Sequence, residues 1–150
     1  MARQLATMRG GETTTETART HPRIMILVVA YNAEHTIESV LHRIPEEFLQ
    51  QYNYEILVID DRSSDNTFER ALEFKCQNPH LNLTVLYNPE NQGYGGNQKV
   101  GYRYAIDRGL DIVALVHGDG QYAPEALANL LEPLERGEAD LAIRFFRPTS

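Results

Sequence analysis

The chain has 150 residues, 42% of them hydrophobic, which is the size of one ordinary domain with enough apolar mass for its own core. Fourteen basic against twenty-one acidic residues give a net charge of −7, the wrong sign for a protein that holds nucleic acid by neutralising phosphates. A single cysteine excludes an internal disulfide framework, and no apolar run nears the roughly 18 residues of a membrane span, so a soluble, cytoplasmic-type domain is expected.

Residues 1–22 show no hydrophobic period and are rich in Thr, Gly and charge, which predicts a flexible leader. Glu12 and Glu16 argue against a transit peptide, a class poor in acids. From Ile24 to Ala30 a continuous apolar run predicts a strand buried on both faces. Ile37, Val40, Leu41 and Ile44 then recur at helical spacing until Pro45 stops the pattern. A second strand is predicted over Glu55–Asp60. Phe68, Ala71, Leu72 and Cys76 carry a second helical stripe, with Ser64 or Asp65 as its N-cap and Cys76 as a small core residue.

Leu83–Tyr87 predicts a third strand and Asn97–Asp107 a helix closed by Gly109. Asp111–Val116 predicts a fourth strand. Leu127, Leu130, Leu131 and Leu134 mark a fourth helix, with Pro133 near its end, and Ala139–Phe146 reads as a fifth strand. Strands alternating with helices of this length mean βαβ units: a Rossmann-like α/β domain with a mostly parallel open sheet and helices on both faces.

Ligands of such sheets sit outside the carboxyl ends of the strands, near a topological switch point. The residues predicted at those ends are polar and specific. They are Tyr31, Asn32 and Glu34 after the first strand, and Asp60 and Asp61 with Ser63–Thr67 after the second. A glycine-rich run, Gly93-Tyr94-Gly95-Gly96, follows the third, and His117, Asp119 and Gln121 follow the fourth. Taken singly, each is explained by a helix cap or a turn. Together on one edge they suit an activated nucleotide. The Asp60 carboxylate accepts from a base N–H, the glycines let a ligand approach the backbone, and Asp119 with the Gln121 carbonyl offers oxygen donors to Mg²⁺ or Mn²⁺. Such a cation would neutralise the leaving diphosphate as a sugar–phosphate bond breaks. The glycine run lacks the Gly-Lys-Ser/Thr ending of a Walker loop and the Gly-x-Gly-x-x-Gly spacing of dinucleotide folds, which sets aside a Rossmann oxidoreductase.

The succession ILVVAYNAEHTI, ILVIDDRSSDNT, NQGYGGNQKVG and VHGDGQYAPE resembles the N-terminal half of family-two glycosyltransferases. The similarity is greatest to the branch holding dolichyl-phosphate mannose synthase and the polyprenyl-phosphate transferases, and it covers about Arg23 to Phe146. The resemblance implies the GT-A fold, a nucleotide-diphospho-sugar donor, inversion at the anomeric carbon, and a lipid-phosphate acceptor at a membrane surface. It places Tyr31, Asn32 and Glu34 by the nucleotide, Asp60 on the base, Asp61 in support of the loop, and Gly93 and Gly95 along ribose and diphosphate. Asp119 and Gln121 match the second carboxylate and the glutamine of the Asp-x-Asp-x-Gln metal motif.

Three departures stand out. His117 occupies the first aspartate position of that motif, where it either joins the metal site or meets the sugar-phosphate directly. Around Ile143-Arg144-Phe145 only the arginine and an aromatic remain of a Gly-Ser-Arg step. The family also continues past the position of Ser150 into an acceptor-binding half, so residues 23–150 are expected to be a donor-binding half, truncated before the catalytic acceptor side. The alternative is a non-catalytic nucleotide-sugar-binding module. An open sheet edge or uncovered apolar face would be a pairing liability, which makes a homodimer an expectation as well.

Overall fold

The computed structural model describes residues 21–142, and the leader over residues 1–20 and the end of the predicted fifth strand from 143 lie outside it. Four strands, β1 (Arg23–Ala30), β2 (Asn53–Asp60), β3 (Leu83–Tyr87) and β4 (Ile112–His117), form one parallel sheet in the order β3-β2-β1-β4. The connections step outward from β1 to β2 to β3, then cross back over the sheet to place β4 on the far side of β1. The switch point therefore lies between β1 and β4. Register aligns the strand ends: Ala30 lies opposite Asp60, Asp60 opposite Tyr87, and Val29 opposite His117.

Side chains alternate along β1, so its even and odd residues feed two different cores. Ile24, Ile26, Val28 and Ala30 pack with Ile56 and Val58 under α1 (Ile37–His42), α2 (Glu46–Gln51), α3 (Thr67–Gln77) and α5 (Leu127–Glu135). Met25, Leu27 and Val29 pack with Leu57 and Ile59 under α4 (Gly93–Asp107), which brings Ala105 to this face. Both faces of the central strands being covered is why β1 and β2 are continuous apolar runs. Gly101 sets how closely α4 lies on the sheet, since a Cβ there would fall 2.4 Å from a methyl carbon of Leu27.

Three expectations need correction. Cys76 is exposed rather than in the core: Thr67, Ala71 and Phe74 hold the buried stripe of α3, and Cys76 is turned away by two residues, about 200° around the helix. Helix α4 starts at Gly93, four residues before the predicted Asn97. Its glycines are poor helix formers, but its start is fixed from outside, because the Asp61 carboxylate accepts the Gln92 N–H at 2.7 Å. Residues 139–142 are irregular rather than the start of a strand. The short α2 was not anticipated; it follows Pro45, carries Glu46 and Glu47 in its first turn and buries Phe48.

Candidate functional site

Four loops meet at the carboxyl edge of the sheet, and their polar side chains are spent largely on one another. The Asn32 N–H donates to Ser63 Oγ at 2.8 Å, while Asn32 Oδ1 accepts the Ser64 N–H at 2.9 Å. Asp65 accepts the Glu34 N–H at 3.2 Å, and Glu34 returns the bond by accepting the Asn66 N–H at 3.1 Å. Thr67 Oγ1 accepts the Ala33 N–H at 2.7 Å. Asn32 and Glu34 therefore stitch the loop after β1 to the loop after β2. Among these residues Tyr31 stands on the rim, 56% exposed. Among the described residues, the two non-glycine residues with positive φ, Asn32 at 47° and Arg62 at 60°, both lie in this pair of loops, in the left-handed region that ordinary residues seldom adopt.

Asp60 and Asp61 end β2 inside the protein, with 0% and 3% of their surface exposed. Asp61 is a brace for the glycine loop. Its carboxylate accepts the Asn88 amide at 2.8 Å and the Gln92 N–H at 2.7 Å, and its carbonyl accepts from Asn91 at 2.9 Å. Asp60 is different. One oxygen accepts the Ser63 N–H at 2.7 Å, and the other, Oδ2, is buried without a partner. Burial raises its pKa, Ser63 opposes the shift, and the carboxylates of Asp65 and Glu69 add to it.

The loop after β3 leads into the first turn of α4, where Gly93 takes φ of 71°. Added Cβ atoms at Gly93 or Gly95 would meet nothing within 4 Å, so open space faces these backbone positions. That turn holds no acidic side chain, and its amides carry the positive end of the helix. Two buried asparagines not singled out in the sequence support it. Asn97 donates to the Ile59 carbonyl at 3.1 Å and accepts from Asn88 at 3.1 Å.

After β4, Gly118 lies against β1, where a Cβ would sit 3.0 Å from that of Ala30, and its carbonyl accepts the Thr36 hydroxyl at 2.7 Å. Asp119 and Gln121 are exposed, and Asp119 Oδ1 accepts the Gln121 N–H at 3.0 Å. His117 Nε2 lies 2.6 Å from the Tyr94 hydroxyl, and its ring centroid is 5.0 Å from that of Tyr94 and 4.5 Å from that of Tyr122. Burial holds the His117 pKa below the ordinary imidazole value, with the Asp119 charge opposing it, and burial lifts the Tyr94 phenol. Among the described residues no group of three or more His, Cys, Asp or Glu side chains converges on a metal position. Beside His117, the outer flank of β4 borders an apolar groove of about 630 Å³ lined by Tyr102, Val113, Leu115, Leu130 and Leu134.

Residues 25–149 match the sequence profile described as Glycosyl transferase family 2. The chain belongs to glycosyltransferase family 2. An N-acetylglucosaminyltransferase of Methanococcus voltae, which joins UDP-N-acetylglucosamine and dolichyl phosphate in its name, is 30% identical over 122 residues, covering 74% of this chain and 47% of that protein. The undecaprenyl-phosphate mannosyltransferase of Micrococcus luteus is 30% identical over 121 residues, covering 81% of this chain and 47% of that protein. This family-two chain thus spans about half the length of the curated relatives it matches.

Among solved structures, the mannosyltransferase PcManGT of Pyrobaculum calidifontis, in complex with GDP-Man and Mn²⁺, superposes with a TM-score of 0.62 at 26% identity, over 75% of this chain and 32% of that one. Glucosyl-3-phosphoglycerate synthase of Mycobacterium tuberculosis, with Mn²⁺, UDP and phosphoglyceric acid, gives 0.57 at 25% identity, over 86% of this chain and 45% of that one. The parallel sheet and its helices are those of a GT-A glycosyltransferase domain. Among the described residues no helix is long and apolar enough to cross a membrane.

Proposed function

We propose that this chain carries the donor site of a hexosyltransferase, which takes a nucleotide-diphospho-sugar with a divalent cation and passes the hexose, with inversion, to a polyprenyl-phosphate acceptor at a membrane surface. The observation that carries the reading is the register: four motif-bearing loops end level on one edge, astride the switch point between β1 and β4. The relatives' names supply the acceptor class, and the neighbours' bound GDP-Man and UDP supply the donor class.

In this reading Tyr31 borders the base. The unspent Oδ2 of Asp60 is the acceptor for a base N–H, reached when the turn at Arg62 shifts, the strained point of that loop. Gly93 and Gly95 leave the α4 amides open to the ribose and diphosphate. Asn32, Glu34 and Asp61 hold these loops in place through the bonds described above. Asp119 and Gln121 are oxygen donors suited to Mg²⁺ or Mn²⁺, and because the side chains fill only part of a coordination shell, diphosphate oxygens would complete it. The cation, when bound, supplies charge neutralisation to the departing nucleotide.

Transfer also needs an acceptor held in line with the anomeric carbon, positioning worth ~7–11 kcal/mol of barrier. All four loops serve the donor in this reading, so donor binding without efficient transfer is the expected behaviour of these 150 residues. The test is a thermal-shift panel of UDP-, GDP- and dTDP-sugars with and without Mn²⁺. At ~100 times its dissociation constant the right donor adds ~2.7 kcal/mol, a rise in Tm of roughly 5–10 °C for a domain of this size. No shift with any donor in either metal would defeat the proposal. The binding-module alternative is favoured by one observation, the histidine in place of the first metal-motif aspartate. Metal-dependent release of sugar from the bound donor separates the two, since only a transferase site labilises that bond.

A further inference from the structure

We propose that Tyr94 is a positioning residue that withholds His117 from the cation, leaving Asp119 as the one ionised side chain the loop after β4 offers it. The proposal rests on the reading of that loop as a cation site and extends it to the role of two residues. A neutral imidazole has one lone pair and one ring proton. At 2.6 Å, the Tyr94–His117 contact is short for a ring N–H donor, whose usual separation is about 2.9–3.0 Å, and ordinary for a hydroxyl donor. The phenol therefore donates to Nε2, and the ring proton resides on Nδ1. One nitrogen is then spent on Tyr94 and the other is protonated, so a metal ion reaches Nε2 only by displacing the phenol.

The surroundings hold that arrangement. The imidazole ring centroid is 5.0 Å from that of Tyr94 and 4.5 Å from that of Tyr122, contacts that hold the ring plane, while the hydrogen bond to Tyr94 selects which nitrogen faces the phenol. Gly118 N–H donates to the Val29 carbonyl at 2.9 Å and pins the backbone next to His117 against β1. Tyr94 belongs to the first turn of α4, between Gly93 and Gly95, so the bond also ties the proposed diphosphate loop to the proposed cation loop. The outcome is an oxygen-only site, the donor set that suits hard ions such as Mg²⁺ and Mn²⁺, and it withholds the imidazole nitrogen from which Ni²⁺ and Zn²⁺ would gain most.

Long-range ¹H–¹⁵N correlation spectra of the labelled full chain read the His117 tautomer, and calorimetry with Mn²⁺ and Ni²⁺ compares wild type with His117→Ala, Tyr94→Phe and the double variant. The expected tautomer has Nδ1 protonated and Nε2 bare. His117→Ala should leave Mn²⁺ affinity within about twofold, because no ligand is lost, whereas one lost hydrogen bond to the metal-blocked nitrogen should let Tyr94→Phe gain roughly 2–10-fold for Ni²⁺. The Tyr94→Phe variant keeps its ring contacts, and adding His117→Ala should remove the gain, which a merely structural role for Tyr94 would not produce. A proton on Nε2, a fall in Mn²⁺ affinity beyond threefold in His117→Ala, or an unchanged Ni²⁺ affinity in Tyr94→Phe each overturns the proposal. Mn²⁺ binding that survives Asp119→Ala is a separate result: it overturns the cation reading and leaves the tautomer result standing.

Discussion

Replacing Asp60 with Asn should stabilise the unliganded protein at neutral pH, and the gain should vanish in acid. Asp60 is fully buried, one oxygen is satisfied by the Ser63 N–H at 2.7 Å, and Oδ2 has no partner. A buried charged acceptor left unsatisfied costs about 1–3 kcal/mol. The amide of Asn keeps the acceptor that Ser63 needs and removes the charge, along with its repulsion from Asp65 and Glu69, and the NH2 that takes the place of Oδ2 is neutral and so costs less to bury without a partner. The sign of the pH dependence follows from the raised pKa. A carboxyl favoured in its protonated form by the fold contributes most below its unfolded value, about 3.9, and that contribution is lost as pH rises through the higher folded value. Asn does not titrate, so Asp60→Asn should melt close to wild type near pH 4 and above it at pH 7.5. At about 2–4 °C per kcal/mol for this size, the difference at pH 7.5 is roughly 2–12 °C. Scanning calorimetry of both proteins from pH 4 to pH 8 measures it. A variant less stable than wild type at pH 7.5, or a gap that does not change with pH, would mean that the buried Asp60 charge does not destabilise the fold. The same substitution should weaken nucleotide binding, since the unspent acceptor is lost.

Gly101→Ala should cost about 1–3 kcal/mol by forcing α4 away from Leu27, seen as a lower urea midpoint with an unchanged slope. Asn97→Ala should cost a similar ~1–3 kcal/mol, because the Ile59 carbonyl and the Asn88 amide both lose a buried partner. Arg43→Ala breaks the bidentate pair with Glu125, but both side chains are well exposed, so the same urea titration should show a change within about 1 kcal/mol.

Strands β1 and β2 were legible because two-sided burial writes itself as unbroken apolar runs, and the predicted Leu83–Tyr87 has the bounds found for the half-buried edge strand β3. The alternation of strands and helices then determined the parallel sheet. Legibility failed where propensity and packing disagreed. Helix α4 begins with glycines that no local preference would make helical; the Asp61 carboxylate, distant in sequence, holds its first turn. Cys76 was misplaced because Leu72 and Cys76 continue a plausible stripe, whereas the face that meets the sheet follows Ala71 and Phe74. At the site, the polar loop residues could be named from the sequence, but not what they are spent on. Asn32 and Glu34 read equally well as ligand contacts and as braces, and only the reciprocal bonds to Ser64 and Asn66 show the bracing. The Tyr94–His117 contact joins residues 23 apart and leaves no local pattern.

The edge between β1 and β4 is proposed to hold a nucleotide-diphospho-sugar through a cation on Asp119. Calorimetric titration of the best donor from the panel into wild type and Asp119→Ala, each with Mn²⁺ and with a chelator, tests it most directly. Wild type should bind saturably with Mn²⁺. The chelator should weaken it by at least the tenfold that ~1.4 kcal/mol represents, and Asp119→Ala should show the weakened affinity in both conditions with an unchanged melting temperature, since Asp119 is an exposed loop residue. Equal, Mn²⁺-dependent affinities in the two proteins would contradict it.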